Sequence, residues 1–231
     1  MYLYFVRHGD PDYEKDCLTD LGKEQAELVS KRLALIPFDR IYTSSMGRAK
    51  ETAAPTCRIF QKEPVVLDWA KEITGRVTMP DGEEKSLAAL SGTYFRGEDD
   101  ALPFGHSFEN SYFAQSGLQE KFERVVKGGL ALLKDLGYEE ENGKFKILYP
   151  NEEHVVIFGH GNVTRSLLSY LLHIPLHIMW AGFRYGHTGV TMLYFKNETS
   201  GYTVPKCLYY ADMSHLNDGK NGILFNKQFY I

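Results

Sequence analysis

The chain has 231 residues, 43% of them apolar and 24% charged, with a formal net charge of −4 and a pI near 6.1. These are the proportions of a soluble globular protein with room for one α/β domain, and the slight acidity argues against a protein that holds nucleic acid by overall charge. Three scattered cysteines, Cys17, Cys57 and Cys207, argue against a disulfide framework or zinc knuckle, and no run approaches the ~20 apolar residues of a membrane span. Arg7 and His8 end the N-terminal apolar run too early for a secretory signal, so the expectation is a reduced, cytoplasmic protein with no membrane contact.

Residues 2–6 are aromatic and β-branched, which suits a buried strand. The run ends in Arg7-His8-Gly9, so a strand presents a cation and an imidazole where ligands bind in open α/β sheets. Pro11 and acidic residues make 10–16 a loop. A helix opens after Thr19, a good N-cap, with Asp20 at the positive end of its dipole. Ala26, Val29 and Leu33 share a face, and the helix stops before Pro37. Residues 39–43 read as a second strand, followed by Ser44-Ser45 as a serine cap and a helix over 46–54. Arg48 falls in its first turn, where free N–H groups and a guanidinium fork suit phosphate or carboxylate.

Residues 64–69 read as a third strand, with Glu72 just after it. Over 76–151 the pattern changes. It is loop-like through Gly105, then mostly helical over 108–136, with Phe113, Leu118, Phe122, Val125, Val126, Leu130 and Leu133 on one face and Gly128-Gly129 interrupting. The expectation is a cap inserted into a single domain, of the kind that sets substrate choice. Residues 154–158 repeat the first landmark, an apolar strand ending in Gly159-His160-Gly161 with a helix following over 163–172. Two strands, 188–195 and 202–210, a segment 212–216 and a polar, then apolar tail complete the chain.

Taken in order, Arg7-His8-Gly9, Leu18-Thr19 with Gly22, Gln25 and Ala26, Ser44-Ser45 with Gly47-Arg48-Ala49 and Thr52-Ala53, Glu72-Ile73 with Gly75, Gly159-His160-Gly161, Thr188-Gly189-Val190-Thr191 and Ser214-His215-Leu216 resemble the histidine phosphatase superfamily, the phosphoglycerate-mutase-like family. The resemblance implies a three-layer α/β/α sandwich around a mostly parallel sheet. It implies His8 as nucleophile, Glu72 as general acid and His160, protonated, as a second catalytic histidine. Phosphate binding would fall to Arg7, His8, Arg48, His160 and Gly161.

The chemistry fits the residue types. Neutral imidazole approaches a phosphate dianion without charge repulsion, arginines beside it keep it unprotonated, and an acid in a partly desolvated site can protonate the leaving alkoxide. Protein cations would do the work of a metal, so no metal or cofactor is implied, and no P-loop motif is present.

The implied activity is a metal-independent phosphatase acting on a small-molecule phosphate ester. A phosphoglycerate-type mutase and a catalytically silent phospho-ligand binder are the alternatives, and homodimer formation is left open. Two departures stand out. The loop after Gly9 reads Asp10-Pro11-Asp12-Tyr13 and lacks the family's phosphate-touching asparagine, and His187 stands where an asparagine is frequent. The other histidines, His106, His154, His173, His177 and His215, read as structural, because Pro175 breaks the i, i+4 spacing of His173 and His177.

Overall fold

The computed structural model describes residues 1–94 and 104–217. The expected loop over 95–103 and the tail after 217 lie outside the described residues. A six-stranded sheet is built from β1 (Tyr2–Arg7), β2 (Arg40–Ser44), β3 (Val65–Leu67), β4 (His154–Gly159), β5 (Val190–Tyr194) and β6 (Lys206–Asp212). Their spatial order is β6-β5-β1-β4-β2-β3. The pairs β1–β4, β4–β2 and β2–β3 are parallel, while β5 runs antiparallel to both β1 and β6.

Strand β1 shows why the sheet has two covered faces. Leu3 and Phe5 enter one core and Tyr4 and Val6 the other, as the period-two alternation of a strand requires. On the Tyr4 face lie α1 (Asp20–Leu33) and α2 (Gly47–Phe60), through residues such as Val29, Leu33 and Ala53. On the Leu3 face lie α4 (Leu118–Asp135) and α5 (Gly161–Leu171), through Val125, Leu132, Val163 and Leu167. The short helices α3 (Ser111–Gln115) and α6 (Leu176–Gly182) pack beside them. This is the three-layer sandwich with a mostly parallel sheet.

Several local expectations hold. Thr19 caps α1 through the Gly22 N–H, which its hydroxyl accepts. Others are corrected. The serines do not cap α2: its N-cap is Met46, which makes no side-chain cap bond. That helix also runs past Ala54 to Phe60 with Pro55 inside it, because buried packing against α1 outweighs one lost backbone bond. The 202–210 strand is divided at Pro205. Residues Tyr202–Thr203 pair with a hairpin of Tyr138–Glu141 and Lys144–Ile147, and only Lys206–Asp212 joins the main sheet.

Within 76–151, the helix and hairpin of residues 118–147 contribute Leu118, Val125, Leu133, Tyr138 and Phe145 to the core. Gly128 and Gly129 do not break α4. A Cβ at Gly128 would lie 2.2 Å from the Trp69 ring, and one at Gly129 2.6 Å from Leu167, so the pair allows close approach on both sides. Before α4 the stretch is short pieces: a hairpin of Arg76–Thr78 and Glu84–Ser86, and single helical turns.

The loop after β1 is pressed against the start of α1. A Cβ at Gly22 would sit 2.1 Å from the Asp10 carbonyl oxygen, and one at Gly9 2.6 Å from the Gly22 carbonyl oxygen. Backbone faces backbone here, so neither side can yield by rotating a side chain. Gly22→Ala is expected to lower the free energy of unfolding by about 1–3 kcal/mol, the usual cost of overpacking. Urea denaturation measures this, and a midpoint equal to that of the wild type would contradict the close approach.

Candidate active site

The β1–β4 ladder places Arg7 opposite Gly159. The next residues, His8 and His160, therefore leave the sheet side by side, with ring centroids 5.3 Å apart. Both are fully covered, at 1% and 0% exposure. In the β4–β2 ladder Thr43 faces Phe158, which brings Ser44 to His160. The Ser44 hydroxyl lies 2.9 Å from His160 Nε2.

A hydrogen bond sets the His8 tautomer. His8 Nδ1 lies 2.7 Å from the Gly9 carbonyl oxygen. A carbonyl only accepts, so Nδ1 carries the proton and Nε2 the lone pair. Gly9 is itself fixed, because its N–H donates to Thr52 Oγ1, and that hydroxyl donates to the Arg48 carbonyl. At His160, the Ser44 hydroxyl, which also accepts the Met46 N–H at 3.3 Å, pairs with Nε2. His160 Nδ1 is buried and finds no hydrogen-bond partner among the described residues.

Burial, then Arg7, His160 and Arg48, hold His8 well below the ordinary imidazole range. Burial first, then Arg48 and Arg7, push His160 down to about 2. The expected protonated His160 is thus corrected: burial and the two guanidinium groups keep the imidazole neutral.

Two arginines flank the imidazoles. Arg48, 4% exposed at the start of α2, donates through an Nη to Asp16 Oδ1 at 2.5 Å. Asp16 Oδ2 also accepts the Gly47 N–H at 2.7 Å, supplying from a distant loop the cap that α2 lacks. Tyr13 lies over the same guanidinium, 5.4 Å from its centroid. Arg7 donates to the Tyr185 carbonyl. The Nε atoms of Arg7 and Arg48 are buried and find no acceptor among the described residues.

Glu72 completes the centre. Its Oε1 accepts the N–H groups of Ile73 at 2.9 Å and Val163 at 3.2 Å, the second in the first turn of α5. Burial raises its pKa, with Arg7, these bonds and Arg48 opposing. One ligand atom from each of His8, Glu72 and His160 lies within 4.8 Å of the other two, a spacing that could hold a metal ion. Each of the three also feels the charges of Arg7 and Arg48. Two cations whose charges reach all three groups disfavour a third cation and favour an anion.

A cleft of about 980 Å³ opens over this centre, lined there by Arg7, Arg48, Glu72 and Gly161. All six residues read from the sequence thus fall in one place. His187 lines the cleft too, with its ring 5.6 Å from His8 and its Nδ1 3.5 Å from Asp10. His106, His154, His173, His177 and His215 stay outside. His154 stacks on Tyr2, His173 on Phe104, and His177 bonds the Ser107 hydroxyl. His215 bonds Thr188 Oγ1, which donates to the His187 carbonyl, so it supports the site from behind.

Sequence reasoning missed Asp16, Tyr185, Arg165 and Arg184. The first two act through loop geometry that leaves no periodic signal. Arg165 follows Gly161 by four residues on α5, one helical turn, and spacing could have found it.

Comparison with known proteins gives a consistent result. The family model described as "Histidine phosphatase superfamily (branch 1)" matches residues 3–204. The 2,3-bisphosphoglycerate-dependent phosphoglycerate mutase 2 of Arabidopsis thaliana is 28% identical over 200 residues, 73% of this chain and 57% of that protein. The mitochondrial serine/threonine-protein phosphatase Pgam5 of Drosophila yakuba is 28% identical over 208 residues, 83% of this chain and 57% of that protein. The chain thus spans little more than half the length of these two relatives. Among solved structures, a phosphoserine phosphatase from Entamoeba histolytica aligns with a TM-score of 0.62 at 21% identity, covering 93% of this chain and 98% of that one. A mycobacterial glucosyl-3-phosphoglycerate phosphatase aligns at 0.58 with 18% identity, covering 91% and 99%. These structural likenesses concern the fold.

Buried neutral imidazoles make folding pH-dependent. In the unfolded chain His160 titrates near the ordinary 6.5, whereas in the folded protein it stays neutral to about 2. Below pH 6.5 the unfolded state therefore binds the extra proton, and stability falls as pH falls. Between pH 6.5 and 5 this amounts to about 1.5 kcal/mol for one such group. His160→Gln is expected to flatten the acid side of the stability curve by that amount. Denaturant titrations at the two pH values measure it, and parallel curves for both proteins would refute the neutral assignment.

Proposed function

Because the chain belongs to the histidine phosphatase superfamily (branch 1), we propose that it is a metal-independent phosphatase hydrolysing a small phosphomonoester through a phosphohistidine intermediate on His8. The observation that carries this reading is the His8 tautomer. Nδ1–H is committed to the Gly9 carbonyl, so the Nε2 lone pair is fixed and available. A depressed pKa keeps it so at neutral pH.

In this reading Nε2 attacks phosphorus, the P–N bond forms and the ester P–O bond breaks. The charge on the equatorial oxygens meets Arg7, Arg48, His160 and the backbone N–H of Gly161, the positive end of α5. Glu72, whose pKa burial raises, gives its proton to the leaving alkoxide. It then takes a proton from water as that water attacks phosphorus, the P–N bond breaks, and neutral His8 returns. The inserted segment 76–151 is the cap in this reading, and its Ser86 and Ala88 line the cleft wall. A phosphoglycerate-type mutase, the reading favoured by the 28% identical mutase relative, would return the phosphoryl group to product in place of water.

Hydrolysis of 4-nitrophenyl phosphate with excess EDTA tests the mechanism. Turnover should survive the chelator and fall by about 10³-fold or more in His8→Ala. Loss on chelation, or an active His8→Ala, would sink it.

The acid is tested by the leaving group. An alkoxide needs a proton, whereas 4-nitrophenolate leaves without one. Glu72→Gln should cost about 10²–10⁴-fold on an alkyl phosphate and far less on the nitrophenyl ester. Equal losses on both would remove Glu72 from that role.

A further inference from the structure

Arg165, one turn into α5, takes no part in the proposed reaction, yet its guanidinium joins the loop of Glu72 to the end of α6. It is mostly covered. Its Nη1 donates to the carbonyls of Trp180 at 3.1 Å and Phe183 at 3.4 Å, and it lies over the Trp180 ring at 5.1 Å. Carbonyls at a helix C-terminus lack partners within the helix and carry partial negative charge, so a cation suits them. Its Nη2 donates to Asn162 Oδ1.

Asn162 relays this contact to the acid. A guanidinium only donates and a carbonyl only accepts, so between Arg165 and Ile73 the amide has one orientation that satisfies both. Its Oδ1 faces Arg165, and its Nδ2 donates to the Ile73 carbonyl at 2.8 Å. The Ile73 side chain is fully buried, and its N–H donates to Glu72 Oε1 at 2.9 Å. The same oxygen accepts the Val163 N–H at 3.2 Å. The first turn of α5 thus grips the carboxyl through Val163 and the residue after it through Asn162. The charges of Arg165 and Glu72 also act on each other. Arg7 and Arg48 face Glu72 from β1 and α2, and the neutral His8 and His160 lie beside it.

We infer that Arg165 is a positioning residue for Glu72, acting through the Asn162 amide to hold the carboxyl in place over the imidazole centre. The inference rests on Glu72 as the acid of the proposed reaction. Without the guanidinium, the Asn162 amide is free to turn over and set its oxygen against the Ile73 carbonyl. Residue 73 is then repelled, and the acid moves with it. A catalytic group displaced by about 1 Å loses about 10²-fold in rate.

The test compares Arg165→Met and Asn162→Ala on glycerol 3-phosphate and 4-nitrophenyl phosphate, with thermal midpoints measured alongside. In both variants kcat should fall about tenfold or more on the alkyl ester, with a smaller change in KM, and about twofold or less on the nitrophenyl ester. In a Glu72→Gln background Arg165→Met should cause no further loss, because its path ends at the residue already removed. A reading without turnover comes from carbon NMR of glutamate-labelled protein, in which the Glu72 carboxyl is the signal missing from Glu72→Gln. It should titrate at higher pH in Arg165→Met, because a cation has been removed.

Equal losses on the two esters at an unchanged thermal midpoint, while Glu72→Gln keeps its leaving-group dependence, would overturn the positioning role and leave the acid standing. A loss that adds to that of Glu72→Gln would do the same. Should Arg165→Met fail to fold, Asn162→Ala carries the comparison. A shifted Glu72 titration on a chain that hydrolyses neither ester would support the link from Arg165 and overturn the phosphatase reading. An unshifted one on such a chain would overturn both.

Discussion

The parallel ladder between β1 and β4 is the constraint on which the site depends. With Arg7 opposite Gly159, the two strands end level, and the two imidazoles that follow are neighbours. A slip of one residue would send His8 and His160 to opposite faces of the sheet, and with them Leu3, Phe5, Tyr4 and Val6 to the wrong cores. The two hydrophobic layers therefore hold the register that the chemistry needs. The β4–β2 ladder extends the same logic by one strand, setting Ser44 within hydrogen-bond distance of His160.

Around this frame, the two helices that point at the site take their caps from elsewhere. Met46 and His160, the N-cap residues of α2 and α5, make no side-chain cap bonds. Asp16 serves α2 through Gly47, and Glu72 serves α5 through Val163. Each carboxylate thereby ties a loop to the sandwich. Glu72 satisfies two backbone donors through one oxygen, in a place where burial raises its pKa.

Much of this was legible in the sequence because it is periodic or punctuated. The apolar runs before Arg7-His8-Gly9 and Gly159-His160-Gly161, and Thr19 at a helix start, are signals that local physics can read. What was not legible depended on distant packing. The helix read over 46–54 continues to Phe60, because buried contacts carry α2 through Pro55. Gly128-Gly129 looked like a break, but the glycines make room for Trp69 and Leu167. Asp16 read as one more acidic loop residue, because nothing near it in the chain reveals Gly47 and Arg48 as its partners. The protonation of His160 was misjudged for the same reason: burial and two guanidinium groups decide it, and neither is local.

The Asp16 contact also changes the character of ligand entry. Arg48 and the N-terminus of α2 are already neutralised by a carboxylate belonging to the protein. An incoming phosphate does not fall into an unbalanced positive well. It shares Arg48 with a resident anion, and the work of binding is the difference between the two anions on one cation. Such a site holds inorganic phosphate less firmly than a bare pair of arginines would. On the proposed phosphatase reading that matters, because the product is the same anion that these cations attract.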